Sequence, residues 1–270
     1  MHQPLAKAEL APALLAADEP APFRVFNDGG KAPLVLVCDH ASAFMPRSLA
    51  DLGLDAAALA RHIAWDIGIA EVAERLATAL DAPAVLSHFS RLIVDPNRPP
   101  DDPTRVPELS DGAIVPGNRG LGESQIEARV ATFFEPYHVA IERQIDRKLT
   151  SGKAPAILSL HSFTPVMKGE TRPWEIGILW NRDPRLPVPL MAALADQGIA
   201  VGDNHPYSGR DGHGYTLHRH AEPRGFAHAL IEVRQDLIDT HEGAERWSAR
   251  LAGVLGGILA DPGLYRVERY

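Results

Sequence analysis

Leu34-Val35-Leu36-Val37-Cys38 is an unbroken apolar run, opened by Pro33 and closed by Asp39-His40. It constrains this chain more than any other feature. A strand with one wet face alternates polar and apolar side chains. A run without alternation marks a strand buried on both faces, as in the middle of a parallel sheet covered by helices. Ala156-Ile157-Leu158-Ser159-Leu160 has the same character and closes on His161. Ile176–Trp180 and Ala227–Val233 read as further strands, the last interrupted by one acid, Glu232. Ala84–His88 and Leu92–Val94 read as short ones.

Between these runs the apolar period changes to that of a helix. Leu59, Ile63, Ala70, Ala73 and Ala77 predict one amphipathic helix from about Asp55 to Leu80, ended by Pro83. Ile126, Val130, Phe133, Tyr137, Ile141 and Ile145 predict a helix over 123–149, with Pro136 kinking or breaking it midway. Shorter helices are expected over 188–197 and 242–260, and functional loops over 99–122 and 202–226. Strands alternating with long helices imply an α/β three-layer sandwich: a mostly parallel mixed sheet with helices on both faces. We expect a single domain over 1–270, with proline-bearing residues 1–22 as an arm and 23–270 as the folded unit.

Composition narrows the function. A chain that is 45% hydrophobic and 23% charged has the make-up of a soluble globule. A net charge of −8 without a run of Lys or Arg argues against nucleic acid as ligand. No stretch of about eighteen apolar residues is free of charge and proline, so no membrane span is expected. One cysteine cannot close an internal disulfide, and no basic segment followed by an apolar one opens the chain, so a cytoplasmic protein is expected. Monomer and homodimer both remain open.

In open α/β sheets ligands bind beyond the carboxyl ends of the strands, so polar residues that end apolar runs are the first candidates. His40 and His161 end strands and Glu232 interrupts one. Asp66 falls on the apolar face of the predicted helix, between Ala70 and Ala73, where an isolated carboxylate would need a cation partner. Two imidazoles and a carboxylate suit one Zn²⁺ held by His40, Asp66 and His161, leaving Glu232 as general base. Blander accounts stand beside this. Either histidine can be an ordinary hydrogen-bonding residue, His62 can pair with Asp66 or replace a ligand, and Glu232 can form a salt bridge with Arg91, Arg98 or Arg234. Asp95 and Arg98 can stabilise each other across a turn, and His205, His213, His218 and His220 can be solvated or gate a substrate. No nucleophile elbow, phosphate loop or dinucleotide fingerprint is present, and Cys38 reads as buried and inert.

The segments Val37-Cys38-Asp39-His40-Ala41-Ser42, Trp65-Asp66-Ile67-Gly68, Ser90–Arg98, Leu160-His161-Ser162-Phe163-Thr164-Pro165 and Ile231–Asp236, in that order, resemble the N-formylglutamate amidohydrolase family over about residues 34–260. The resemblance implies a fold of the zinc carboxypeptidase type, with His161 a zinc ligand, Glu232 the base, and Asn97 and Arg98 where carboxypeptidases grip a substrate carboxylate. One position departs: carboxypeptidases place their acidic ligand three residues after the first histidine, where this chain has Ala43. Related cell-wall amidases take it from the helix after the first strand, which corresponds to Asp66. The implied reaction is hydrolysis of the C–N bond of an N-acyl amino acid, giving formate and glutamate in the named case. Arg91 or Arg98 would stabilise developing charge, and a dicarboxylate product would use both. Ser162, Asn204, Tyr207 and Arg234 complete the expected substrate-binding set, with the loop from Asn204 to Arg224 closing over the substrate. The alternatives are a zinc peptidase or amidase of different substrate, a non-catalytic binding protein for an acidic small molecule, and a histidine-rich metal buffer.

Overall fold

The computed structural model describes residues 13–150 and 152–270; the first twelve residues of the predicted arm lie outside them. Eleven strands occur among the described residues: β1 (Phe23–Phe26), β2 (Leu34–Cys38), β3 (Ala84–Ser87), β4 (Leu109–Ser110), β5 (Ala113–Ile114), β6 (Ala156–Phe163), β7 (Val166–Met167), β8 (Glu170–Thr171), β9 (Ile176–Leu179), β10 (Val201–Asp203) and β11 (His228–Arg234). The helices are α1 (Ala56–Leu59), α2 (Ile69–Ala79), α3 (Glu123–Arg129), α4 (Glu135–Leu149), α5 (Pro187–Ala195), α6 (Tyr215–His220) and α7 (His241–Ile258). Seven strands form one sheet in the order β1-β3-β2-β6-β11-β9-β10, while β4–β5 and β7–β8 are separate two-stranded ribbons. The central pairs β3–β2, β2–β6 and β6–β11 are parallel; β1 and β9 join their neighbours β3 and β11 antiparallel.

The unalternating runs are explained by what covers them. Leu34, Leu36 and Cys38 pack with α2, α5 and α7 on one face of the sheet, while Val35 and Val37 pack with α4 and α6 on the other. Both faces are dry, so both sets are apolar. Parallel register sets Glu232 of β11 directly opposite His161 of β6, side chains on the same face. Ile157 precedes His161 by four residues and Leu230 precedes Glu232 by two, and both pack on the α4 side, so the two polar groups stand at that side's carboxyl edge.

The predicted helix over 55–80 is two helices with an irregular stretch between them. Gly68 starts α2 with φ of 81°, and a Cβ there would stand 2.1 Å from the Ile238 carbonyl oxygen. The close approach of a distant backbone turns the chain where local periodicity continues. Asp66 consequently sits in this turn and not on a helix face, its amide donating to the His40 carbonyl at 2.9 Å. Leu92–Val94 is likewise a buried turn, packed in a third cluster with Phe89, Phe133 and Phe134, and not a strand. Pro136 is accommodated without a break: a π-helical turn, Val130–Phe134, joins α3 to α4 and leaves the proline in the first turn of α4. β1 falls where no element is expected, and α6 and most of β10 fall within the stretch 202–226 expected to be loop. No described helix is long and apolar enough to cross a membrane.

Candidate active site

His40 follows β2, Asp66 lies in the turn before α2, and His161 is near the end of β6; one ligand atom from each lies within 4.8 Å of the others, and all three side chains are buried. His161 Nδ1 is 2.8 Å and His40 Nδ1 3.3 Å from the same oxygen, Asp66 Oδ2, which also accepts the Ser162 amide at 3.2 Å. The far nitrogens are anchored as well. His40 Nε2 donates to Asp95 Oδ1 at 2.8 Å, and His161 Nε2 donates to Asp39 Oδ2 at 2.9 Å. Asp95 is gripped in turn by Arg91, whose Nε and Nη2 donate to Oδ2 at 2.9 and 2.6 Å. Asp39 accepts the Tyr137 and Thr216 hydroxyls at 2.9 and 2.6 Å.

Burial opposes the charge on each of these acids, yet the surrounding groups win. His40 and His161 hold Asp66 well below the usual carboxylate range, and Arg91 and His40 do the same for Asp95. Asp39 is held at about 2 against its burial, chiefly by the bond from His161. Burial acts to lower His161, but Asp39 and Asp66 on either side raise it well above the ordinary imidazole value. A centre so rich in buried carboxylate calls for a cation. The donors fit a divalent transition ion: two Nδ1 atoms and one carboxylate oxygen converge, and each imidazole is backed by a carboxylate that orients it.

Glu232 behaves differently. Its Oε2 is buried without a hydrogen-bond partner, and burial pushes its carboxyl up to about 7 despite His161, His40 and Arg91 nearby. No ion pair joins it to Arg91, Arg98 or Arg234 among the described residues. It faces a cleft that is also lined by His40, Asp66, His161, Arg91, Asn97, Arg98, Ser162 and Tyr207.

Nine expected site residues therefore share one cleft; two do not reach it. Asn204 caps a turn, its Oδ1 accepting the Trp180 and Gly209 amides, and Arg234 is spent on Asp236 and the carbonyls of Arg172 and Trp174. Tyr207 is anchored by Arg172, which donates to its hydroxyl at 3.2 Å. Ser162 Oγ donates to the Ile67 carbonyl, so its hydroxyl proton is already used. His62 does not pair with Asp66; it lines the cleft wall, its Nε2 3.4 Å from Asp111 Oδ2. Arg98 does not bridge to Asp95 but lies 3.5 Å from Asp102. Of the loop histidines, His213 lines the cleft, His205 stacks on Trp174, His218 pairs with Glu222, and His220 is buried. Asp39 and Asp95 were missed in their supporting roles. Their places beside His40 and two before Asn97 carried the signal, since a ligating imidazole needs an acceptor for its other nitrogen.

A mixed sheet between helix layers, with a His–Asp–His trio, a buried unpartnered carboxyl and two arginines gathered in one cleft at its carboxyl edge, has the architecture of a hydrolase. More particularly, the chain belongs to the N-formylglutamate amidohydrolase family, which matches residues 32–239, and by that membership it is an amidohydrolase. It is similar to the crystal structure of gene product Atu2144 from Agrobacterium tumefaciens, at 36% identity and a TM-score of 0.89 over 92% of this chain and 98% of that one. The fold is also that of N-formylglutamate amidohydrolase from Ralstonia eutropha JMP134, at 20% identity and a TM-score of 0.62 over 89% of this chain and 97% of that one. Comparison with curated proteins gives no match.

Proposed function

We propose that this chain hydrolyses the C–N bond of an N-acyl amino acid, N-formylglutamate being the leading substrate, to give formate and glutamate. One Zn²⁺ would be held by His40, Asp66 and His161, with residues 23–270 acting as one catalytic unit. The observation that carries this reading is Glu232: an unpartnered buried carboxyl, poised near neutrality, on the strand position opposite His161. Zinc held by the trio would supply a Lewis acid and make water acidic enough to lose a proton near neutral pH.

The chain's own groups do the rest. Glu232 takes a proton from the attacking water and returns it to the leaving nitrogen, so the amine departs as the bond to the acyl carbon breaks. Its pKa near the working pH suits both transfers. Asp39 and Asp95 fix the imidazole rings. Arg98 is the better substrate partner of the two cleft arginines, because its one ion pair, with Asp102, is long at 3.5 Å, whereas Arg91 is committed to Asp95 at 2.6 Å and lies 3.6 Å from Asp66. Asn97 beside Arg98 would share the substrate carboxylate, and Tyr207 would close the far wall. Ser162 is assigned to holding Asp66 through its amide.

The setting we propose is cytoplasmic, the partner a small N-acyl amino acid, and the assembly a monomer or homodimer. The test is a screen for released formate and amine across N-acyl amino acids, using metal-depleted and zinc-restored protein. Release of amine from other acyl groups in preference to formyl would reassign the substrate. No release from any of them would favour a binding protein on the same fold.

A further inference from the structure

Two imidazoles outside the cleft are used by none of the steps above. His138 of α4 and His220 at the end of α6 are both buried, their rings stacked with centroids 5.1 Å apart. His138 Nδ1 and His220 Nε2 are 2.8 Å apart, and His138 Nε2 lies 3.0 Å from the carbonyl oxygen of Pro96. A carbonyl only accepts, so His138 carries its hydrogen on Nε2. Its Nδ1 is then a bare lone pair, and the bond between the rings must run from His220 Nε2 to it. Burial, with neighbouring charge, pushes His138 well below the ordinary imidazole value and His220 down to about 4, so both rings are neutral at neutral pH. The second nitrogen of His220 stands 3.8 Å from Glu142, beyond hydrogen-bond reach.

Pro96 lies between the two residues that touch the outer edges of the histidine pair in the cleft. On one side Asp95 Oδ1 accepts from His40 and from the Asn97 amide; on the other, the Asn97 side chain lies beside His161 and its Oδ1 accepts the Thr216 amide. We infer that His138, held in a single tautomer by His220, is a positioning residue for the metal centre: it pins the Pro96 carbonyl and so fixes the turn from which Asp95 reaches His40. This rests on the zinc reading above. Without the bond, the peptide joining Pro96 to Asn97 loses one of its two anchors; the other is its own N–H, which donates to Asp95 Oδ1 at 2.9 Å, the oxygen that accepts from His40, so the aim of that oxygen shifts although Arg91 still holds Oδ2.

The test is zinc affinity of the full chain, measured by competition with a chromophoric chelator, for the wild type, His138→Leu and His138→Gln. A glutamine offers an amide N–H near the place of Nε2 and an oxygen near that of Nδ1, so it keeps both bonds. His138→Leu should bind zinc roughly tenfold more weakly, and His138→Gln should recover most of that loss. Equal affinity of His138→Leu and wild type, or a glutamine variant as weak as the leucine one, overturns the inference. Should His138→Leu fail to fold, His138→Asn replaces it; its shorter amide cannot span to Pro96, so zinc binding weaker than in His138→Gln is expected, and equal binding overturns the proposal. Tight zinc binding by the wild type with an unaffected leucine variant leaves the metal reading standing. A wild type that takes up no zinc overturns that reading and this one with it.

Discussion

Glu232 stands opposite His161 in the parallel register of β6 and β11, yet the two side chains have opposite electrostatic fates. Two carboxylates hold His161 well above the ordinary imidazole value, while Glu232, buried without a partner for Oε2, is pushed up to about 7.

Glu232→Gln should lower kcat by roughly 10²- to 10⁴-fold, the range for loss of a general base. In the wild type, kcat/KM should rise with pH through about 7 as this carboxyl ionises. The stability effect has the opposite sign. The folded chain holds this proton more tightly than the unfolded one, so the contribution of Glu232 to stability is fully present below pH 4.5 and is lost as pH rises through 7. The glutamine variant escapes that loss and should melt higher than wild type at pH 8, by at most on the order of 3 kcal/mol. A rate profile flat across neutrality would remove Glu232 from the proton transfers.

Zinc should stabilise the protein, since an ion that binds only the folded state at about 100 times its Kd adds roughly 2.7 kcal/mol. Thermal melts with and without chelator would show it. The shift, and the activity, should vanish in His161→Ala; a fully active His161→Ala would sink the metal mechanism.

Asp39→Asn and Asp95→Asn should each weaken zinc binding about 10- to 100-fold while leaving the three ligands in place. Asp39 and Asp95 are fully enclosed and hydrogen-bonded to the imidazoles, so the change acts through ring orientation and basicity. Isothermal titration with zinc would measure it, and wild-type affinity in both variants would contradict the support role.

Arg98→Ala should raise KM for an N-formyl dicarboxylate by roughly 10- to 100-fold, the scale of a charge-assisted contact. Arg234→Ala should leave KM near that of wild type, because its guanidinium is bound outside the cleft. Steady-state kinetics of the pair separates the two positions, and the reverse ranking would relocate the substrate carboxylate.

Gly68→Ala should destabilise the fold by several kcal/mol, combining a positive φ with a collision at the Ile238 carbonyl. Because Gly68 turns the chain two residues after Asp66, any folded fraction should also lose zinc affinity. A variant with unchanged melting temperature and zinc binding would mean the Ile238 contact gives way freely.

Much of this was legible in the chain. The apolar runs 34–38 and 156–160 announced strands covered on both faces, and the polar residues closing them, His40 and His161, announced the edge where a ligand binds. These are properties of neighbours along the backbone, which side-chain alternation and chain termination express directly. Asp66 shows the limit. Its helical period was real on paper, but a contact 170 residues away, between Gly68 and Ile238, turned the chain into a bend and delivered the carboxylate from there. The same holds for Arg234 and Asn204, whose chemistry suited a substrate but whose partners, Asp236 and the Trp180 amide, took them out of the cleft. The strand ends were set by local pattern; the convergence of side chains 40, 66, 161 and 232 was decided by strand register and by backbone approaches between segments far apart, which no window of sequence contains.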